Sequence, residues 1–462
     1  MSTDSLEVNV PRTGLLADGR HDTYIIAGTI SLDHQHGIRV EVPYSENPQS
    51  VQFEAARVWF EKEDVPQNLA LYTGDGPVTL FGCKWAGRRM RSGTVATGTF
   101  RVDEVLMAAR DTDIAEPLLV TACRSRLDGL GAATSLSAAR EDIEYDDSNR
   151  FTSWTIRLES PDPIEWNSGE ATMRVVAGWR VDHRSSARRQ VIDVDATLES
   201  EFANPTGFGK HYAEQAKVRS LLTLLFGHGM FFRDHTVQDD SITTKAENGR
   251  VIDHPYIELL SSRTLAQRAR PKPAPEKLYR PLLTLEDIGP EGLQTWCERY
   301  DEWERFIAPI VAMISRRDRL LEESLLNAAM SLEAAGNLLG RQPDEKKLSL
   351  SRTEKPFYRC LAHLRVGWGG YIASDAGLAR ALANNYNTIK HANIGPFPNP
   401  AETMLTLRVA ELVARLVAID LTGAAAAAID EYRKGNDLWQ IQSAFDANGL
   451  RIADDGSWQS TR

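Results

Sequence analysis

Cysteine is scarce in this chain: Cys83, Cys123, Cys297 and Cys360 are the only four in 462 residues, and none forms a CxxC pair. That spacing excludes a disulfide framework and a zinc-ribbon type of site, and fits a reducing cytoplasm. Long apolar runs are missing as well, so no segment is expected to span a bilayer. Residues 1–20 carry acidic side chains and no hydrophobic stretch, so they are expected to be a flexible tail and not a secretory leader. Positive charge is in deficit: 53 Lys and Arg against 64 Asp and Glu leave a net −11. As a bulk field this repels nucleic acid. There is no GxSxG and no phosphate-loop sequence. His34-Gln35-His36 offers two imidazoles without a third ligand, and a surface turn accounts for it as well. No metal or cofactor is expected.

What is present is ordinary in bulk, with 42% hydrophobic and 25% charged residues. The first half alternates in hydropathy with period two, as in Trp154–Leu158 and Ile192–Glu199, the pattern of half-buried strands. Further strands are expected at Tyr24–Ile30, Gly37–Val42, Val51–Phe60, Leu69–Tyr72, Val78–Trp85, Gly93–Val102, Ala171–Val181 and Met230–Val237. One helix is expected near 212–226. Turn residues between these runs point to an antiparallel sandwich or barrel-like domain over 21–262. Arg88-Arg89-Met90-Arg91 and the stretch Arg184 to Arg189 read as basic loops, either phosphate contacts or solvated turns.

Three alternating prolines in Arg270–Pro281 mark a linker over 263–289. Beyond it the period becomes helical. Helices are expected near 290–316, 319–340, 353–366, 372–393, 401–421 and 424–434, making 290–462 an all-α bundle. The overall class is therefore α+β and multidomain. Asn399, Pro400 and Glu402 form a helix-start signal, and Gly395-Pro396 a helix stop.

The segment 380–391 carries the chemistry. On a helical wheel, Leu378, Leu382, Tyr386 and Ile389 share an apolar side, while Arg380, Asn384, Asn387 and His391 share the other. Three asparagines in four residues oppose helix propensity, so something else retains them. A histidine at a helix end meets partial negative charge and can act as general acid or base near neutral pH. The same spacing is satisfied by a capping histidine with helix-end amides. The window 341–390 holds nine basic and four acidic residues, a local +5 inside an acidic chain. It is either an RNA-facing surface or a solvated one.

Tyr386-Asn387-Thr388-Ile389-Lys390-His391 resembles the Arg-Asn-xxx-His motif of HEPN domains in a Tyr-Asn variant. Trp296, Tyr300 and Phe306, followed by Leu325–Glu333, resemble the C-terminal half of ApeA-like anti-phage HEPN proteins. Leu221–Met230 and Pro77–Cys83 are similar to passages in the N-terminal part of that family. The resemblance implies a metal-independent endoribonuclease acting on tRNA or another host RNA, with growth arrest as the result. It implies His391 as acid or base, Asn387 orienting it, and Lys390 with Arg380 supplying positive charge. Asn384, Arg359 and Arg365 are then expected to contact RNA. It further implies a homodimer through the helical domain, in which Arg380 of one copy approaches His391 of the other, and a phage-derived trigger at the β domain. Tyr386 departs from the motif arginine, which leaves open a non-catalytic RNA- or nucleotide-binding and dimerisation module.

Overall fold

A computed structural model of the chain describes residues 5–18, 26–90, 95–110, 112–182, 191–316, 318–391, 393, 395–423 and 436–461. The period-two runs become strands because one side of each is buried. In β2 (Ile26–Asp33) every second residue from Ile26 to Leu32 faces inward, and in β3 (Gly37–Ser45) Ile38, Val40, Val42 and Tyr44 do the same.

Among the described residues, fourteen strands join into one antiparallel sheet. Its order starts with β12 (Ile164–Ser168), β13 (Ala171–Asp182), β14 (Val191–Thr206), β9 (Val120–Leu127), β15 (Phe232–Gln238) and β18 (Ile257–Ser261). It continues through β8 (Glu104–Leu106), β5 (Gly76–Phe81), β4 (Asn68–Thr73), β1 (Arg12–Ala17), β2, β3, β7 (Val95–Val102) and β6 (Lys84–Met90). Three two-stranded hairpins stand outside it: β10 (Ala139–Tyr145) with β11 (Phe151–Leu158), β16 (Thr244–Lys245) with β17 (Val251–Asp253), and β19 (Leu450–Ile452) with β20 (Trp458–Ser460).

The expected strand at Val51–Phe60 is instead a short 3-10 turn and helix α1 (Glu54–Glu61). Its buried residues, Ala56, Trp59 and Phe60, follow i, i+3, i+4 spacing. Phe60 lies on Gly98, where a Cβ would come within 2.2 Å of the ring, so β7 needs a glycine there. This helix closes a core made by β1 to β5, β7 and β8.

Helix α2 (Phe208–Phe226) is buried on all sides through its last two turns, Ser220 to Phe226, because it lies between the sheet and the helices that follow. Its polar residues are satisfied inside. Gln215 Nε2 donates to the Cys123 carbonyl at 2.9 Å and to Ser200 Oγ at 3.0 Å. Ser125 Oγ meets His235 Nδ1 at 2.6 Å, and His235 Nε2 meets Thr264 Oγ1 at 3.0 Å.

Across the proline-rich stretch the chain forms α3 (Ser262–Arg268) and α4 (Pro275–Leu278), then buries Leu282 and Leu283. The helices after it are α5 (Leu285–Ser315), α6 (Leu321–Leu339), α7 (Glu354–Leu364), α8 (Asp375–Lys390), α9 (Pro400–Asp420) and α10 (Asn436–Asn448). A capping box starts α5: Thr284 N–H donates to Asp287 Oδ2 at 2.9 Å and Asp287 N–H to Thr284 Oγ1 at 3.1 Å. Gly289 (φ 70) with Pro290 kinks it one turn later. Asn399 caps α9, its Oδ1 accepting from Ala401 N–H at 2.8 Å.

One continuous core runs from Val175, Leu198 and Leu221 through Trp296, Trp303 and Phe306 to Leu361, Leu382 and Val413. The layout is α+β, a large antiparallel sheet followed by a helical region. The expected helix at 424–434 and the basic stretch Arg184 to Arg189 lie outside the described residues, as does Arg91. Helix α10 and the β19–β20 hairpin were not among the elements expected from the sequence.

Candidate functional site at the end of helix α8

Helix α8 begins where Ser374 Oγ accepts from Gly377 N–H at 3.1 Å. Its first half is small and buried, with Ala376, Gly377, Ala379, Ala381 and Ala383 allowing close approach of neighbouring backbones. Gly377 fits only as glycine, since a Cβ would stand 2.2 Å from the Ala453 carbonyl oxygen. Of the three asparagines, Asn385 is the buried one, donating from Nδ2 to Thr406 Oγ1 of α9 at 2.8 Å. Its retention therefore has a packing reason: a buried amide needs a partner, and α9 supplies it. Asn384 is exposed, and its carbonyl accepts from Thr388 Oγ1 at 2.8 Å.

Tyr386 is in the core at 4% exposure, its ring edge-on to Phe357 at 6.2 Å between centroids. Its hydroxyl meets Lys390 Nζ at 3.2 Å, and the ammonium stands 5.0 Å from the ring centroid. The Tyr386 contact also raises the Lys390 pKa above its ordinary value, so the cation is firmly charged. Tyrosine at the motif position thus fixes the end of a lysine side chain.

The helix stops at Lys390. His391 is its C-cap, with φ −116 and ψ 101, one position beyond the last turn in which the helical period places it. Its N–H still donates to the Asn387 carbonyl at 2.9 Å. The His391 side chain is exposed and that of Asn387 half-buried. Among the described residues neither side chain is held by a hydrogen bond, so both are free to meet a ligand.

The remaining candidates lie elsewhere. Arg380 donates from Nη1 to the Asp454 carbonyl at 2.5 Å and packs against Gly456 in the turn between β19 and β20. Eleven helical positions, about 16 Å, separate it from His391. It lines an open cleft of about 510 Å³ with Lys347, Tyr358, Ser374, Asp375 and Asp454, and neither His391 nor Lys390 reaches that cleft. Arg359 is engaged in a two-pronged ion pair with buried Glu345, at 2.8 and 2.9 Å. Arg365 is exposed at the C-cap of α7 in a left-handed conformation, φ 52. Tyr386, Asn387, Lys390 and His391 are thus neighbours along the last turn of α8, while Arg380 and Arg359 are engaged with Asp454 and Glu345.

His36 and Asp33 pair at 3.0 Å in the β2–β3 turn, while His34 meets the Leu265 carbonyl at 3.0 Å. Among the described residues no group of three or more His, Cys, Asp or Glu is arranged to hold a metal. A pair that sequence reasoning missed is His363 of α7 with Asp420 at the end of α9, 2.5 Å apart. Fifty-seven positions separate them, and no local spacing joins them.

A family model described as ApeA N-terminal domain 1 matches residues 18–296. The chain belongs to that family. The ApeA match takes in the strands from β2 to β18, α2 and the first part of α5, and ends at Trp296. The ApeA N-terminal domain suggests an anti-phage defence family. Helix α8 lies beyond the matched residues. No curated protein and no solved structure matches the chain. Among the described residues no helix is long and apolar enough to cross a membrane.

Proposed function

We propose that this is an anti-phage defence protein whose sheet receives an infection signal and whose α8 terminus cleaves RNA without a metal. The observation that carries the reading is the exposed His391 side chain at the C-cap of α8, one turn after Asn387, in a chain of the ApeA N-terminal domain 1 family. The residue frame resembles the HEPN motif, and the helical setting agrees with it.

On this reading His391 takes the proton of a ribose 2′-hydroxyl. The 2′-oxygen forms a bond to phosphorus as the bond to the 5′-oxygen breaks, the leaving oxygen takes a proton from water, and His391 returns its proton to solvent. The products are a 2′,3′-cyclic phosphate and a 5′-hydroxyl end. Lys390, held by Tyr386, supplies the cation for charge growing on the phosphate, the role of the motif arginine. Asn387 orients the ring or donates to a phosphate oxygen. Asn384 and Arg365, both exposed, extend the RNA contact. The substrate is host RNA in the cytoplasm, tRNA among the structured candidates. Two copies pair through their helical parts, and Arg380 reaches the partner's site only once its bond to Asp454 opens. A phage-derived trigger binds the sheet.

The test is purified protein and His391→Ala on total RNA in excess chelator. We expect a 2′,3′-cyclic phosphate from wild type and a loss of about a hundredfold or more in the variant. Equal cleavage by both, or none by wild type in the presence of trigger, sinks the proposal. The burial of Tyr386 favours a second reading, in which the helical part binds RNA or nucleotide and dimerises without catalysis while the sheet binds a partner. Binding that survives His391→Ala with no product at any time would establish it.

A further inference from the structure

Among the described residues the β10–β11 hairpin pairs with itself alone and with no strand of the large sheet. Its register sets Ile143 opposite Trp154, Tyr145 opposite Phe151, and Glu141 opposite Ile156. Residues directly opposite in an antiparallel pair point to the same face. Ile143, Tyr145, Phe151, Trp154 and Ile156 therefore share one face, with Glu141 at its edge, while Arg140, Asp142, Glu144, Ser153, Thr155 and Arg157 share the other. The five apolar side chains are 40 to 60% exposed. A two-stranded hairpin with alternating faces is marginal by itself in water, and such a sheet is made to lay its apolar face on another layer.

The area and shape of the face decide what that layer is. Three aromatic and two isoleucine side chains, each about half exposed, present on the order of 600 Å². Two such faces together bury about 1,200 Å², the lower bound of a specific protein interface. The face is also nearly self-complementary. The Ile143–Trp154 pair sits at its centre, with Tyr145 and Phe151 towards one end and Ile156 with Glu141 towards the other, so a two-fold axis through the centre sets the aromatic end of one copy against Ile156 and Glu141 of its partner. We propose that the β10–β11 hairpins of two copies of this chain pack apolar face to apolar face, forming a dimer through the sheet portion. This contact is independent of α8 and of the RNA-cleavage reading.

The experiment is sedimentation of the full chain over a concentration series, beside a variant carrying Tyr145→Ser, Phe151→Ser and Trp154→Ser. Wild type is expected to self-associate through this face in addition to the helical pairing, and the dissociation constant of that sheet-side step to rise about tenfold or more in the variant, with an unchanged far-ultraviolet spectrum. A back-face variant, Asp142→Ser with Arg157→Ser, is expected to dimerise as wild type does. All four native cysteines are buried, so an added thiol is the accessible one. Ile143→Cys near the axis is expected to give a cross-linked dimer on mild oxidation, and Asp142→Cys on the back face is not. A monomer throughout, or a triple-serine variant whose association matches wild type at every step, overturns the proposal. So does cross-linking equal at both cysteines.

Discussion

Arg415 of α9 donates from Nε to the carbonyl of Leu224 at 2.7 Å and from Nη2 to that of Leu225 at 3.0 Å. These are last-turn carbonyls of α2, which have no partner within their own helix. Gly227, left-handed at φ 65, ends α2 so closely that a Cβ there would lie 2.9 Å from the guanidinium carbon. One arginine thus ties the centre of the helical region to the helix that packs on the sheet. Arg415→Met keeps the aliphatic stem but takes the Arg415 donor from the Leu224 carbonyl, while the Leu225 carbonyl keeps the Leu282 N–H at 2.8 Å. It is expected to cost about 2 to 3 kcal/mol in urea unfolding, and Arg415→Lys should recover only part of that.

Tyr386 separates a core role from a site role. Tyr386→Phe keeps the ring against Phe357 and removes the bond to Lys390. Stability should fall by about 1 kcal/mol or less, while RNA cleavage falls severalfold as Lys390 loses its fixed position. Tyr386→Arg restores the motif residue but buries an unpaired guanidinium, and it should destabilise by about 3 kcal/mol or more. Thermal unfolding and a cleavage assay on the same samples check both.

Arg359→Ala should act through folding. Its removal leaves the Glu345 carboxylate buried without its counter-ion, a loss of about 3 kcal/mol. The paired guanidinium holds the Glu345 pKa below its ordinary value, so this pair's contribution fades as acid protonates the carboxylate. Unfolding midpoints of wild type and variant should therefore converge at low pH.

His235 is buried neutral in the sheet core, and burial lowers its pKa from 6.5 to about 4. The unfolded chain takes up the proton first. Stability is therefore full above about pH 6.5 and declines as pH falls towards 4. The loss amounts to about 3 kcal/mol. Urea unfolding measured between those limits should follow this slope, and His235→Gln should flatten it. His211, lowered by burial in the same way, adds to the effect.

Much of the fold was readable because burial on one face imposes a period. Strands β2, β3, β13 and β14 and helices α5 to α9 alternate with the periods their surroundings require. Val51–Phe60 misled because a short apolar run fits either period, and only Gly98 shows which residues must point inward. Strand β9 went unseen since Cys, Arg and Ser interrupt its alternation; these polar residues are satisfied by partners such as His235 and Glu199. At the candidate site the neighbourhood of Asn387, Lys390 and His391 was legible because all lie within one turn and a half. The fate of Arg359 and Arg380 was not, since their partners, Glu345 and Asp454, are held in place by tertiary packing.

The sequence by itself determined the α+β order and the apolar side of α8, both consequences of local periodicity. Tertiary structure alone decided that Tyr386 packs on Phe357 of α7, that Arg380 belongs to the C-terminal hairpin, and that one core joins sheet and helices. Those outcomes depend on which distant surfaces meet, and the hydrophobic burial that brings them together carries no record in local spacing.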